Sequence, residues 1–300
     1  MERVKLSETL EVSRIVHGHW RLNDWNISNE EILTLIEQTR ELGITTIDHA
    51  DIYGSYTCEE QFGQALALKP SLRSELELIT KCGIKLISDN RPSHNIKHYD
   101  TSKEHIIHSV ETSLKSFRTD YIDLLLIHRP DFYMNPEEVA ETFAMLKQQG
   151  KVLNFGVSNF SPSQFSMLDS YLDFPLVTNQ IEISPLFLDY FMNGGIDQCL
   201  ERRFSPMAWS PLAGGNLFSS TDERAVRVRT ALEKVRDEVG AHSIDEVAYA
   251  WLLNHPAKII PVFGSSKLDR INSAVNAMSI RLSNEQWYKI WISSTGKDVA

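Results

Sequence analysis

The alternation along the chain constrains its fold more than any other feature. Short β-branched or aliphatic runs recur between longer segments of helical period, the pattern of a parallel sheet assembled from βα units. Eight such runs are present, at residues 14–17, 45–48, 77–81, 122–128, 154–158, 177–182, 206–209 and 259–262. Helix starts between them are marked by a side-chain acceptor with Glu or Gln three residues later: Ser28 with Glu31, Thr101 with Glu104, Ser161 with Gln164 and Ser243 with Glu246. Gly43 follows the apolar face Ile32, Leu35, Ile36, Thr39 and Leu42, where a helix would end on a left-handed glycine. Eight units in a chain of 300 residues predict an α/β fold, a single (β/α)8 TIM barrel. Residues 4–12 would add a short N-terminal hairpin, and Ser283 with Gln286 would open an extra C-terminal helix.

No Gly/Ser/Pro-rich linker interrupts the pattern, so residues 1–300 are expected to form one domain. The stretch 83–99 is long for a βα connection, and loops of that length in compact domains are usually functional or disordered. With 42% hydrophobic and 23% charged residues the composition is that of an ordinary globular protein. Thirty Lys and Arg against forty Asp and Glu give a formal charge of −10, which argues against a nucleic-acid binder or a protein of anionic membrane surfaces. Cys58, Cys82 and Cys199 are odd in number and widely separated, so no disulfide framework or structural zinc site is expected. No apolar run approaches the length of a membrane span, and the N-terminus lacks a signal-peptide core. These features predict a cytoplasmic protein.

In such barrels chemistry sits at the carboxyl ends of the strands. Asp48, with Tyr53 five residues on, ends the second run; Lys81 ends the third and His128 the fourth. Ser158 and Asn159 end the fifth, Gln180 lies in the sixth, and Trp209 and Ser210 end the seventh. Each alone has a structural reading: Asp48 as a turn cap, Tyr53 as loop filler, Lys81 as half of an ion pair, His128 as a rim histidine. Four titratable types at three consecutive strand ends make better sense as a unit. A phenol titrates near 10, and an adjacent ammonium, held charged by a carboxylate, would stabilise the phenolate. Lowering it by about 3 units corresponds to roughly 4 kcal/mol. His128 could then hydrogen-bond a substrate oxygen.

The segments Asp48-His-Ala-Asp-Ile-Tyr53, Thr80-Lys-Cys-Gly83, Leu126-Ile-His-Arg-Pro-Asp131, Gly156-Val-Ser-Asn-Phe160, Asn179-Gln180 and Trp209-Ser-Pro-Leu212 resemble, in order, the motifs of the aldo-keto reductases. Within that family the resemblance is to the bacterial YdhF-like branch. It implies a barrel without a Rossmann domain, NADPH as cofactor, and a catalytic tetrad of Asp48, Tyr53, Lys81 and His128 that reduces a small-molecule aldehyde or ketone, with Tyr53 as proton donor. It also implies that Ser158, Asn159 and Gln180 grip the nicotinamide carboxamide and that Trp209 stacks on its ring. The segment Ser210-Pro-Leu212-Ala-Gly214-Gly215 resembles the pyrophosphate clasp, and Gly264-Ser265-Ser-Lys267-Leu-Asp-Arg270 the adenosine-phosphate segment, where two cations would favour NADPH over NADH. Gly18 and Trp20, after the first strand, would border the cofactor and the substrate mouth. Ser273 and Ala274 depart from the Glu and Asn that often hold the adenine in this family.

Two other readings were weighed. His17-Gly-His19 is the pattern that opens the metal site of amidohydrolase-type barrels, but further histidines and an aspartate would be needed where this chain has Ser158, Gln180 and Val262, so no metal is expected. The aldo-keto reductase barrel also serves as a redox-sensing β-subunit of membrane channels, and nothing in the sequence marks a surface for such a partner. A monomer or weak homo-oligomer is expected.

Overall fold

The structure is a computed structural model that describes residues 1–300. Its strands are β1 (Arg3–Lys5), β2 (Glu11–Ser13), β3 (Val16–Gly18), β4 (Thr46–Asp48), β5 (Glu77–Cys82), β6 (Ile84–Lys85), β7 (His98–Tyr99), β8 (Ile122–Ile127), β9 (Val152–Ser158), β10 (Asn179–Glu182), β11 (Met207–Trp209) and β12 (Ile260–Phe263). Eight of them close into a barrel in the order β10-β11-β12-β3-β4-β5-β8-β9. Each of the eight apolar runs of the sequence contributes one barrel strand. β1 and β2 pair antiparallel as the N-terminal hairpin, with Val4 opposite Val12, and the helix Asn284–Thr295 is the extra C-terminal element. No helix is long and apolar enough to cross a membrane.

The chain divides into two compact units, Met1–Gln180 with Gly264–Ser266, and Ile181–Phe263 with Lys267–Ala300. In the first, β3, β4, β5, β8 and β9 run parallel, and their register sets Gly18 beside Asp48, Asp48 beside Ile79 and Lys81 beside Leu126. The helix Asn29–Glu41 buries Ile32, Leu35, Ile36 and Thr39, the stripe expected from the sequence, and ends before Gly43 at φ +86°. Ile32 and Ile36 pack with Phe62, Leu78 and Phe117 behind β4 and β5. In the second unit β11 and β12 pair parallel, Trp209 opposite Val262. There Trp251 and Trp287 stack at 4.9 Å, and each indole N–H donates to the other residue's carbonyl, at 3.2 and 3.0 Å. That reciprocal pair satisfies both buried donors while locking the C-terminal helix to the helix Ile244–Leu253.

Capping boxes form at Ser28, Ser161 and Ser283. At the helix Lys103–Phe117 the cap is Ser102, one residue later than the sequence pattern, because the Thr101 hydroxyl donates instead to Asp131 at 2.7 Å. Ser243 precedes the helix Ile244–Leu253 without a side-chain cap; Glu246 accepts from the His242 N–H and from Asn276 instead. The stretch 83–99 is partly a ribbon, β6 against β7, held by a Lys85–Asp100 ion pair at 2.9 Å and by the Leu86 N–H donating to the Tyr56 hydroxyl at 2.7 Å.

Candidate active site

Strand register alone brings Asp48 and Lys81 together, since β4 and β5 are neighbours and both side chains are buried. The Lys81 ammonium donates to Asp48 Oδ1 and Oδ2 at 2.7 and 2.8 Å, to the His49 carbonyl at 2.7 Å and to the Tyr53 hydroxyl at 3.2 Å. One buried cation therefore touches a carboxylate, a backbone carbonyl and a phenol at once. Gln180 holds Asp48 in place by donating from Nε2 to its Oδ2 at 2.7 Å. A buried ion pair survives only when its remaining hydrogen-bonding capacity is filled, and here three Lys81 donor directions and both Asp48 oxygens are used.

Tyr53 follows a tight turn in which its N–H donates to Ala50 O, and Gly54, Ser55 and Tyr56 continue with φ of +56°, +54° and +72°. Three successive left-handed residues, two of them not glycine, carry strain that the surrounding contacts must hold. Ser55 O accepts from Asn90 at 2.9 Å and the Tyr56 hydroxyl is fixed by Leu86, so this strain sits beside the Tyr53 ring. His128 lies at the end of β8 with its ring centroid 5.9 Å from that of Tyr53, and its buried Nδ1 has no partner.

The charge states follow from burial. Burial acts against the Lys81 ammonium, but Asp48 and Tyr53 outweigh it and raise its pKa. Burial raises the Tyr53 phenol above 10, helped by the Asp48 carboxylate, and the Lys81 charge offsets only part of this. Lys81 thus lowers the phenol as expected, but the net direction is upward, because desolvation of a phenolate costs more than one shared ammonium returns. Burial, then the Lys81 charge, pushes His128 well below its usual value and keeps the ring neutral. At neutral pH the site holds an ammonium, a protonated phenol and a neutral imidazole, two of them proton carriers positioned around one edge of Tyr53.

Ser158 and Asn159 stand at the end of β9, where the Ser158 hydroxyl donates to Gln180 O at 2.7 Å and the Asn159 amide donates to Ser158 Oγ at 2.8 Å. Asn159 has φ +61°, so a residue tolerant of that conformation is required there. Gly18 is buried at the end of β3, whereas Trp20 is 58% exposed beside it, with the Arg21 guanidinium 5.1 Å from its ring centroid. Gly264 approaches Gly18 so closely that a Cβ there would meet Gly18 O at 3.2 Å, and Ser265 is buried.

In the second unit Trp209 is partly exposed at the end of β11 and Ser210 has φ +50°. Leu212 leads into a turn in which Ala213, Gly214 and Gly215 have φ of +52°, +64° and +102°. A Cβ at Gly214 or Gly215 would meet nothing within 4 Å, so open space adjoins this backbone. The N–H groups of Ala213 and Gly215 donate within the turn, to Ser210 O and Leu212 O, rather than outward. Lys267 is the N-terminal flank of the helix Leu268–Asn276, and Arg270 lies in its first turn together with Asp269; all three are exposed.

The sequence profile of the Aldo/keto reductase family matches residues 14–293. The chain is 47% identical over 289 residues to the oxidoreductase YdhF of Escherichia coli (strain K12), covering 96% of each, and 46% identical over 301 residues to a 6-dehydroglucose reductase of Agrobacterium fabrum (strain C58 / ATCC 33970), covering 100% of each. Its fold matches the crystal structure of the thermostable aldo-keto reductase Tm1743 with a TM-score of 0.82 at 25% identity, over 98% of this chain and 100% of the other. This chain belongs to the aldo/keto reductase family. It is an oxidoreductase-family barrel similar to YdhF, and Asp48, Tyr53, Lys81 and His128 lie at or just beyond the ends of its strands.

Several polar groups are buried near Asp48 and Lys81. His49, between Asp48 and Ala50, is fully buried with neither ring nitrogen bonded, among His19, Phe62 and Phe117 at ring distances of 4.8, 4.7 and 5.1 Å. Asp51 and Glu59 are also buried. Glu59 accepts from the Thr80 and Ser113 hydroxyls, Asp51 from Ser109, and Asp51 Oδ1 has no partner. Burial raises Asp51 to about 8 and Glu59 to about 7. Sequence reading missed this pair, of which Asp51 lies in the turn after β4 and Glu59 in the first turn of the helix Cys58–Leu66. It also missed Gln180 as the partner of Asp48, which needs knowledge of the closed barrel.

Proposed function

We propose that this protein is an NADPH-dependent carbonyl reductase in which Tyr53 donates the proton to the carbonyl oxygen. The observation that carries the reading is the Lys81 ammonium held simultaneously by Asp48, His49 O and Tyr53. A protonated phenol beside a fixed ammonium can give up its proton as negative charge develops on a substrate oxygen, and the ammonium then stabilises the phenolate. His128, neutral, would donate a second hydrogen bond to the same oxygen and orient the carbonyl. Asp48 holds Lys81 charged and aimed.

The donor set suits a nicotinamide dinucleotide. Ser158, Asn159 and Gln180 offer the hydroxyl and amide groups a carboxamide needs. Trp209 offers a ring face, and the open space beside Gly214 and Gly215 leaves room for a pyrophosphate along Ser210, Leu212 and the two glycines. Gly264, Ser265, Lys267 and Arg270 would take the adenosine 2′-phosphate, with Gly18 and Trp20 bordering the mouth; the cations favour NADPH over NADH. Bound there, the dinucleotide supplies the hydride. We take residues 1–300 as one catalytic domain.

The relative in Agrobacterium fabrum is a 6-dehydroglucose reductase, which makes polyhydroxylated aldehydes the first substrates to offer. Exposed aromatic faces favour the same class, since C–H faces of sugars pack on aromatic rings. Trp20 is 58% exposed after β3, and Phe132 and Tyr133 are 90% and 96% exposed after β8. Cys58, Cys82 and Cys199 are all buried free thiols, in keeping with the reducing cytoplasm. We take the working unit to be a monomer or weak homo-oligomer. The test is a panel of aldehydes, ketones and hexose-derived aldehydes read by loss of NADPH absorbance, run in parallel with NADH. Turnover at least tenfold more efficient with NADPH is expected. A protein that consumes neither nucleotide with any carbonyl in the panel would refute the assignment.

A further inference from the structure

His17 in β3 and His19 just after it form a directed relay. Ser265 O can only accept, so His17 Nε2, 2.9 Å away, carries the proton. A neutral imidazole then presents Nδ1 as an acceptor, and His19 Nε2, 3.3 Å from it, must be the donor. Both rings are thereby fixed as their Nε2–H tautomers. His17 is further held by stacking on Trp25, with ring centroids 5.6 Å apart and planes at 17°, and by the edge of His19 at 4.5 Å. Both rings are fully buried, and burial lowers the pKa of His17 to about 4 and that of His19 well below its usual value, so they stay neutral across the physiological range. The relay ends on the segment Gly264–Ser266, whose backbone is already drawn to β3 by the close approach of Gly264 to Gly18 O.

We propose that His17 is a positioning residue for the dinucleotide: its Nε2–H fixes the Ser265 carbonyl, and with it the backbone of Gly264–Ser266, in the conformation that receives the adenosine phosphate. This rests on the NADPH assignment made above. Without this hydrogen bond the buried Ser265 carbonyl loses the donor that ties it to β3. His17 touches no reacting atom, so its effect falls on cofactor affinity and not on the chemical step.

The test compares His17→Phe, which keeps a flat ring against Trp25 but cannot donate, with His17→Gln, which restores an N–H donor. In the cofactor-free protein, amide exchange across residues 264–268 is expected to quicken about tenfold in His17→Phe and to return to within threefold of wild type in His17→Gln. The NADPH Kd, read by quenching of tryptophan fluorescence, should rise about tenfold in His17→Phe, or about 1.4 kcal/mol, and recover in His17→Gln. Single-turnover hydride transfer at saturating NADPH should stay within twofold throughout. An unchanged exchange rate or an unchanged Kd in His17→Phe overturns the proposal, as does equal damage in both variants. If His17→Phe does not fold, His17→Met against His17→Gln makes the same comparison. A wild-type protein that binds no NADPH would defeat the assignment of function, while the exchange comparison would still read the relay by itself.

Discussion

The tetrad of the first unit and the glycine turn of the second are built on opposite principles. Around Lys81 every partner is internal: Asp48, His49 O and Tyr53 occupy its donors, Gln180 supports Asp48, and Lys81 is 1% exposed. Around Gly214 and Gly215 the backbone is left-handed, a Cβ would meet nothing, and Gly214 is exposed. The first region is a finished electrostatic assembly whose geometry owes nothing to a ligand. The second is an open turn of small residues with space beside its backbone. Proton chemistry demands fixed distances, and a bulky anionic ligand demands room; the chain separates the two demands along its sequence.

That contrast breaks most severely at Lys81. Lys81→Met would leave Asp48 buried without its cation, and the loss of one partner of such a pair costs about 3–5 kcal/mol, so urea unfolding should show a drop of that size together with loss of turnover. The neighbouring acids sharpen the point, because Asp51 and Glu59 are buried with hydroxyls rather than a cation. Their folded-state pKa values, about 8 and about 7, lie above those of unfolded carboxyls, so the native state binds more protons between pH 4 and 8 and stability falls as pH rises through that window. Each group contributes a slope of at most about 1.4 kcal/mol per pH unit. Asp51→Asn should remove its share: the variant gains on wild type in denaturant titrations at pH 8 and gains much less at pH 5.

In the open region effects should fall on the cofactor. Lys267→Ala and Arg270→Ala are each expected to raise the KM for NADPH about tenfold, a loss of the order given by one charge-assisted bond, while the KM for NADH is unchanged. Equal effects on both nucleotides would remove the 2′-phosphate from these residues. The smallest change is expected for Gly215→Ala, whose φ of +102° strains any side chain; thermal unfolding should fall by about 1 kcal/mol, with KM for NADPH raised severalfold.

Much of the first region is legible in the sequence because strand ends in such barrels face the site. Asp48, Lys81 and His128 announce themselves as charged or titratable residues ending apolar runs, and Tyr53 by its spacing from Asp48. The hairpin and the C-terminal helix are equally legible from local pattern. The partners that complete the assembly are not: Gln180 reaches Asp48 only because the barrel closes, since β10 and β4 are not neighbours, and His49 contributes a carbonyl, which has no sequence signature. The net direction in which Tyr53 shifts depends on burial as well as on Lys81, and burial is set by packing that no local motif contains. Thr101 lost its cap to Asp131, a residue 30 positions away that no local motif contains. The histidine relay escaped because His17 and His19, read as a possible metal pair, bond to each other and to Ser265 instead.

The central claim is that the phenol of Tyr53 is the proton donor in an otherwise complete site. Tyr53→Phe removes one oxygen from a ring whose walls remain, so the direct measurement is single-turnover oxidation of NADPH by a good carbonyl substrate, with the NADPH Kd determined on the same sample. The account predicts an unchanged Kd and a hydride-transfer rate lower by about 10²–10⁴-fold, the range of a lost general acid. A variant that binds NADPH normally and keeps most of its rate would contradict it.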